Sequence, residues 1–107
     1  MLYLKSILQF MPFFSVIIPL YNKKRFITNT LKSLLSQTFS DFEVIVINDG
    51  STDGSEKLVQ EFTDPRIRFF SQHNQGVAMT RNHGINNAKA GYICFLDADD
   101  FWQPDFL

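Results

Sequence analysis

Short runs of apolar, largely β-branched residues alternate with longer amphipathic stretches along this chain of 107 residues. Phe14–Ile18 reads as a buried strand that Pro19 is expected to end. The spacing of Phe26, Ile27, Thr30, Leu31, Leu34 and Leu35 predicts an amphipathic helix over Lys24–Thr38. Glu43–Ile47 is a second buried strand. Asn48–Ser55 is a turn, and Asp53 with Glu56 three residues on resembles a capping pair opening a second helix. Leu58, Val59 and Phe62 give that helix its inner face, and Asp64-Pro65 stops it. Arg66–Ser71 is a third strand. Gly76–Lys89 is a third helix, with Val77, Gly84, Ile85 and Ala88 as its apolar stripe and Ala90-Gly91 as its end. Tyr92–Leu96 is a fourth strand, followed at once by Asp97-Ala98-Asp99-Asp100.

The order β-α-β-α-β-α-β predicts an α/β fold, Rossmann-like, with a mainly parallel sheet and right-handed crossovers. In such sheets ligands bind outside the carboxyl ends of the strands. Pro19–Asn22, Asn48–Asp53 and Asp97–Asp100 all fall there, so the chemistry gathers on one sheet edge.

Composition narrows this picture. The length allows one domain, and 45% hydrophobic residues can fill a core. A net charge of −1 gives no electrostatic case for nucleic acid. Twelve Phe residues point to heavy burial or to a surface that something else covers. The single cysteine, Cys94, has no disulfide or zinc partner and reads as a core thiol, which suits a reducing, cytoplasmic setting, with the inner face of the membrane as a further site. No stretch reaches the roughly 18 apolar residues of a spanning helix. Residues 1–12 read as an N-terminal extension without a small-residue cleavage site, ahead of a domain over 13–107.

Asp97-Ala98-Asp99 places two carboxylates past a buried strand. It is either a solvated acidic turn or a seat for Mg²⁺ or Mn²⁺ completed by phosphate oxygens. Asn48–Ser55 admits a plain capped turn or a nucleotide pocket in which Asp49 accepts from a base N–H. A calcium loop begins at Asp49, Ser51, Asp53 and Gly54 but fails at Gln60, where Glu is required. Helical spacing puts Arg81 inside the apolar stripe of its helix, where a guanidinium needs an anion. That anion is either a strand-end Asp or a ligand phosphate. His73 and His83 have no spaced ligand partners, and Lys23, Lys24 and Arg25 read as a solvated helix start. No dinucleotide or P-loop glycine pattern occurs, and no glycine- and lysine-rich loop of a nucleotidyltransferase follows the first strand.

Ser15-Val-Ile-Ile-Pro-Leu-Tyr-Asn22, Ser36-Gln-Thr-Phe-Ser-Asp-Phe-Glu43, Asn48-Asp-Gly-Ser-Thr-Asp-Gly-Ser55, Asn74-Gln-Gly-Val77 with Ala78-Met-Thr-Arg-Asn82, and Phe95-Leu-Asp-Ala-Asp-Asp100 jointly resemble family 2 glycosyltransferases of the GT-A type, over about Phe13 to Leu107. The resemblance implies transfer of a sugar from a nucleotide-diphospho-sugar, such as a UDP-sugar, to an acceptor hydroxyl. The reaction would be inverting and would use Mn²⁺ or Mg²⁺. It implies a base pocket of Pro19, Tyr21 and Asp49, with Asn22 among the substrate-binding residues. Arg81 would lie near base and phosphates. Asp97 would reach the ribose or the metal's water shell, and Asp99 would bind the metal. Asn48 departs from the usual Asp at its position.

Family domains continue past the Asp-x-Asp motif, so the resemblance casts this chain as the donor-binding half, truncated after that motif. A carboxylate general base is expected beyond Leu107, and Asp105 reads as structural. On that view the chain alone binds nucleotide and metal without transferring sugar. Phe101, Trp102, Phe106 and Leu107 are expected to lack partners and to drive self-association.

Overall fold

The computed structural model describes residues 11–107. The predicted extension therefore lies, but for its last two positions, outside the described residues. Four strands and three helices alternate: β1 (Phe14–Leu20), α1 (Ile27–Leu35), β2 (Phe42–Asp49), α2 (Ser55–Gln60), β3 (Ile67–Gln72), α3 (Val77–Asn87) and β4 (Tyr92–Phe95). All strands pair in parallel, in the order β3-β2-β1-β4. The α/β reading of the sequence is thus met element by element.

Alternation along the two central strands sorts the core into two layers. Val16, Ile18, Leu20, Val44 and Val46 pack against Ile27, Leu31 and Leu34 of α1 and Val59 of α2. Ile17, Ile45 and Ile47 face the other way, toward Phe70, Ala88 and Ile93. Full burial of each such aliphatic chain contributes about 1.5–3 kcal/mol, so the sandwich around β1 and β2 dominates the stability.

Several boundaries differ from the sequence reading. Pro19 does not end β1, which runs on to Leu20. Ile17 accepts from Leu96 N–H, so alternation turns Pro19 toward the β4 side as well. There β4 has already finished pairing, at Ile17, and the missing N–H leaves no ladder bond unmade. The helix expected from Lys24 begins only at Ile27, after a turn in which Phe26 and Ile27 both donate to the Lys23 carbonyl. Asp53 and Glu56 do not form a capping pair. Gly54 holds the cap position at φ 91°, and Asp53 accepts from Ser55 N–H instead.

Phenylalanine divides between core and surface, with Phe14, Phe62, Phe69 and Phe70 packed against the buried clusters. Phe42 is buried, whereas Phe13, Phe26, Phe95, Phe101 and Phe106 are exposed. The carboxyl tail is better anchored than expected. Trp102 and Leu107 pack on the core, and Thr38 N–H donates to Pro104 O at 2.7 Å. Buried Gln37 ties the tail to α1 through both ends of its amide, donating to Gln103 O and accepting from Leu107 N–H. Phe101 and Phe106 remain the exposed pair. Cys94 is half-buried, and desolvation raises its thiol pKa. Among the described residues, no helix is long and apolar enough to cross a membrane.

Candidate functional site at the switch point of the sheet

The sheet order reverses between β1 and β4. Chain connections leave this point in opposite directions, which opens a crevice beyond the strand ends. A cavity of about 420 Å³ lies there, lined by Pro19, Leu20 and Tyr21 from β1 and its turn and by Asp97, Ala98 and Asp99 after β4. Asp49, Asn74, Gly76, Val77 and Thr80 form another wall, and Lys23 completes the rim. Five residues picked from the sequence therefore meet in one space: Pro19, Tyr21, Asp49, Asp97 and Asp99. Tyr21 is exposed.

Asp49 is buried at the end of β2. Its Oδ1 accepts from Gln72 Nε2 at 2.9 Å and Gln75 N–H at 2.8 Å. Its Oδ2 accepts from Gly76 N–H at 3.1 Å and from Asn74 Nδ2 at 3.4 Å. A carboxylate offers about four lone-pair sites, so Asp49 is fully engaged in shaping the segment from β3 to α3. Since that carboxylate only accepts, the Gln72 amide must turn Nε2 toward it. Gln72 Oε1 then faces His83 Nδ1 at 2.7 Å, which makes that nitrogen the donor.

Asn22 and Arg81 sit outside the cavity lining. Asn22 has the left-handed φ of 51° that asparagine tolerates. It stitches two loops together: its N–H donates to Ser51 Oγ at 3.0 Å, and its Oδ1 accepts from Thr52 N–H at 2.7 Å. Lys24 N–H donates to Asp53 Oδ2 at 3.0 Å beside it. Burial raises the Asp53 pKa, but the Ser55 hydroxyl and the Lys24 and Ser55 amides outweigh it and leave the group below its ordinary value.

The apolar stripe assigned to α3 is met at Gly84, which faces the sheet, and at Ala88, which packs on its core, and is corrected at Val77 and Ile85. Val77 and Ile85 are exposed, and Thr80 and Gly84 face the sheet. Small residues make that face because the helix lies too close to β1 for larger ones, so a reading by hydrophobicity left out Thr80 and added Val77 and Ile85. Arg81 is consequently at the margin, not within a buried stripe. Its guanidinium lies 3.8 Å from Asp97 Oδ1 and 5.4 Å from the Phe95 ring centroid. The strand-end Asp foreseen as one alternative partner is Asp97, on the cavity rim.

Lys23 is the residue the sequence reading missed. It was placed on a solvated helix start, yet its Nζ lies 3.1 Å from Asp99 Oδ2. Its position one residue beyond the turn at the end of β1 was the available signal. Among the described residues, no three His, Cys, Asp or Glu side chains form a metal cage. Asp97 and Asp99 instead offer hard oxygen donors on an open rim, and an ammonium already stands against one of them. That donor set fits a Mg²⁺- or Mn²⁺-like ion whose remaining ligands are waters and phosphate oxygens.

The family model for glycosyl transferase family 2 matches residues 15–107. The chain belongs to glycosyl transferase family 2. It is 40% identical over 100 residues to a chondroitin synthase of Escherichia coli, covering 92% of this chain and 15% of that protein. It is 39% identical over 95 residues to the glycosyltransferase GlyA of Streptococcus pneumoniae serotype 4, covering 87% of this chain and 14% of that protein. Among solved structures, Staphylococcus aureus TarS 1–349 in complex with UDP-GlcNAc superposes with a TM-score of 0.82 at 33% identity, over 86% of this chain and 28% of that one. The mannosyltransferase PcManGT of Pyrobaculum calidifontis, in complex with GDP-Man and Mn²⁺, gives 0.80 at 27% identity, over 87% and 29%. The GT-A-like architecture of this family 2 chain is thus matched over nearly all of its length, while the chain spans under a third of each of these four proteins.

Proposed function

We propose that this chain supplies the donor-binding part of a metal-dependent, inverting glycosyltransferase that takes a nucleotide-diphospho-sugar, with a UDP-sugar as the first candidate. The observation that carries this reading is the convergence of Tyr21, Asp49, Asp97 and Asp99 on one cavity at the reversal of strand order. Tyr21 and Pro19 would flank the base. Asp49 would form the base wall, and the long 3.4 Å bond from Asn74 is the one a base N–H would replace. Asn22 would act through the loop it fixes. Arg81 would reach the ribose–phosphate side together with Asp97. Asp99, with Asp97, would hold Mn²⁺ or Mg²⁺, which when bound neutralises charge on the departing diphosphate. UDP-GlcNAc in the TarS structure and GDP-Man with Mn²⁺ in the PcManGT structure support a ligand of this class.

The test is calorimetry of UDP, GDP and ADP with the purified chain in Mn²⁺ and in chelator. UDP should bind in Mn²⁺ and markedly more weakly without it, and Asp99→Ala should abolish the difference. Equal affinity in both conditions would refute the assignment of Asp99. A second reading, a nucleotide- and metal-binding segment that transfers nothing by itself, predicts the same binding without turnover when acceptor is added.

A further inference from the structure

The two carboxylates of Asp97-Ala98-Asp99 each face a cation from elsewhere in the fold. Arg81 of α3 approaches Asp97 at 3.8 Å, and Lys23 of the β1–α1 turn pairs with Asp99 at 3.1 Å. The second pair is the tighter one, and it places a positive charge beside Asp99, the carboxylate proposed above as the metal ligand. Both ions cannot sit there at once without like-charge repulsion.

The backbone beneath Lys23 is fixed. Its carbonyl accepts from Phe26 and Ile27 N–H. Its neighbours are pinned to the loop after β2, Asn22 to Ser51 and Thr52 and Lys24 to Asp53. The side chain is 39% exposed. Lys23 therefore yields by turning its own flexible stem while the loop stays in place, and its Nζ remains on the rim of the same cavity.

We infer that Lys23 is the resident counter-cation of Asp99, displaced when a divalent ion arrives and then available to the phosphate oxygens that ion brings. The first half concerns the metal alone. The second half rests on the nucleotide reading above.

The test uses the chain with Lys23→Gln and Lys23→Arg, in two titrations. Electron paramagnetic resonance of free Mn²⁺ reads metal binding without nucleotide, and the binding lost in Asp99→Asn defines the site. Removing the unit-charge attraction between Lys23 and Asp99, which an incoming ion must displace, should tighten Mn²⁺ about fivefold in Lys23→Gln. At saturating Mn²⁺, calorimetry should show UDP bound about fivefold more weakly by Lys23→Gln. Lys23→Arg keeps the charge and should track the wild type in both. Unchanged or weaker Mn²⁺ binding in Lys23→Gln, or no effect of Asp99→Asn on Mn²⁺, overturns the counter-cation role. Unchanged UDP binding overturns the phosphate role. A wild type that takes Mn²⁺ but no UDP defeats the nucleotide reading and the phosphate role with it, and the Mn²⁺ titration still decides the competition for Asp99.

Discussion

Gly84 of α3 meets Ile17 of β1 so closely that a Cβ at position 84 would lie 2.5 Å from the isoleucine Cγ2. Ile17 is fully buried and has no free volume to enter. Alanine would gain about 1 kcal/mol of helix propensity over glycine. Overpacking a tight core costs about 1–3 kcal/mol, and more when the backbone must shift. Gly84→Ala should therefore lower stability by up to about 2 kcal/mol, read from denaturant midpoints. A variant as stable as the wild type would mean that α3 lifts off without cost.

Asp49→Asn should loosen the segment from Gln72 to Gly76. The amide keeps one acceptor and turns a second donor toward donors that are already in place. Weakening the part-buried bonds from the Gln75 and Gly76 amides costs about 1 kcal/mol. Hydrogen exchange should show faster opening of the Gln75 and Gly76 amides, and nucleoside affinity should fall. Unchanged exchange would show that the loop holds itself.

Glu43 predicts a pH dependence at the opposite end of the sheet. It accepts from Ser15 Oγ, Lys89 N–H and Arg68 Nη1. Burial raises its pKa, but the Ser15, Lys89 and Arg68 donors prevail and leave it below the ordinary 4.5. A depressed carboxylate stabilises the fold fully above the unfolded value and loses that contribution as pH falls through the folded one. Glu43→Gln should cost about 1–3 kcal/mol at pH 7. The gap to wild type should persist down to pH 4.5 and close below it. A gap that stays constant into strong acid would remove Glu43 from the account.

Gln37→Ala should release the carboxyl tail by removing its bonds to Gln103 O and Leu107 N–H. Trp102 is the sole tryptophan and stacks on Phe106 at 4.4 Å. Its emission should shift to the red, and protease should cut after Phe101 more readily. An unshifted spectrum would show that Trp102 is held by the core alone.

Much of this was legible from residues 14–99. Unbroken β-branched runs announced buried parallel strands, and strand-end polar clusters announced a shared edge. What stayed hidden depended on distances between elements. Nothing in the spacing of α3 shows that Thr80, rather than Val77 and Ile85, must join Gly84 in facing β1. The choice follows from how close helix and sheet lie. Lys23 looked solvated because its partner, Asp99, is far away in sequence. The saturation of Asp49 was equally invisible, since two of its donors are backbone amides. Residue type carries no information about those.

The placement of β4 beside β1 has a consequence for the order of assembly. β1, β2 and β3 can pair one after another as they are made, each closing a short loop. β4 must instead return past β2 to the far side of β1, and only then do Asp97 and Asp99 face Pro19, Tyr21 and Lys23. Distant closures of this kind come late in folding. A chain emerging from the ribosome can thus hold most of its hydrophobic centre and still have no place for a ligand. Ligand capture would mark the moment at which the last strand has locked into place.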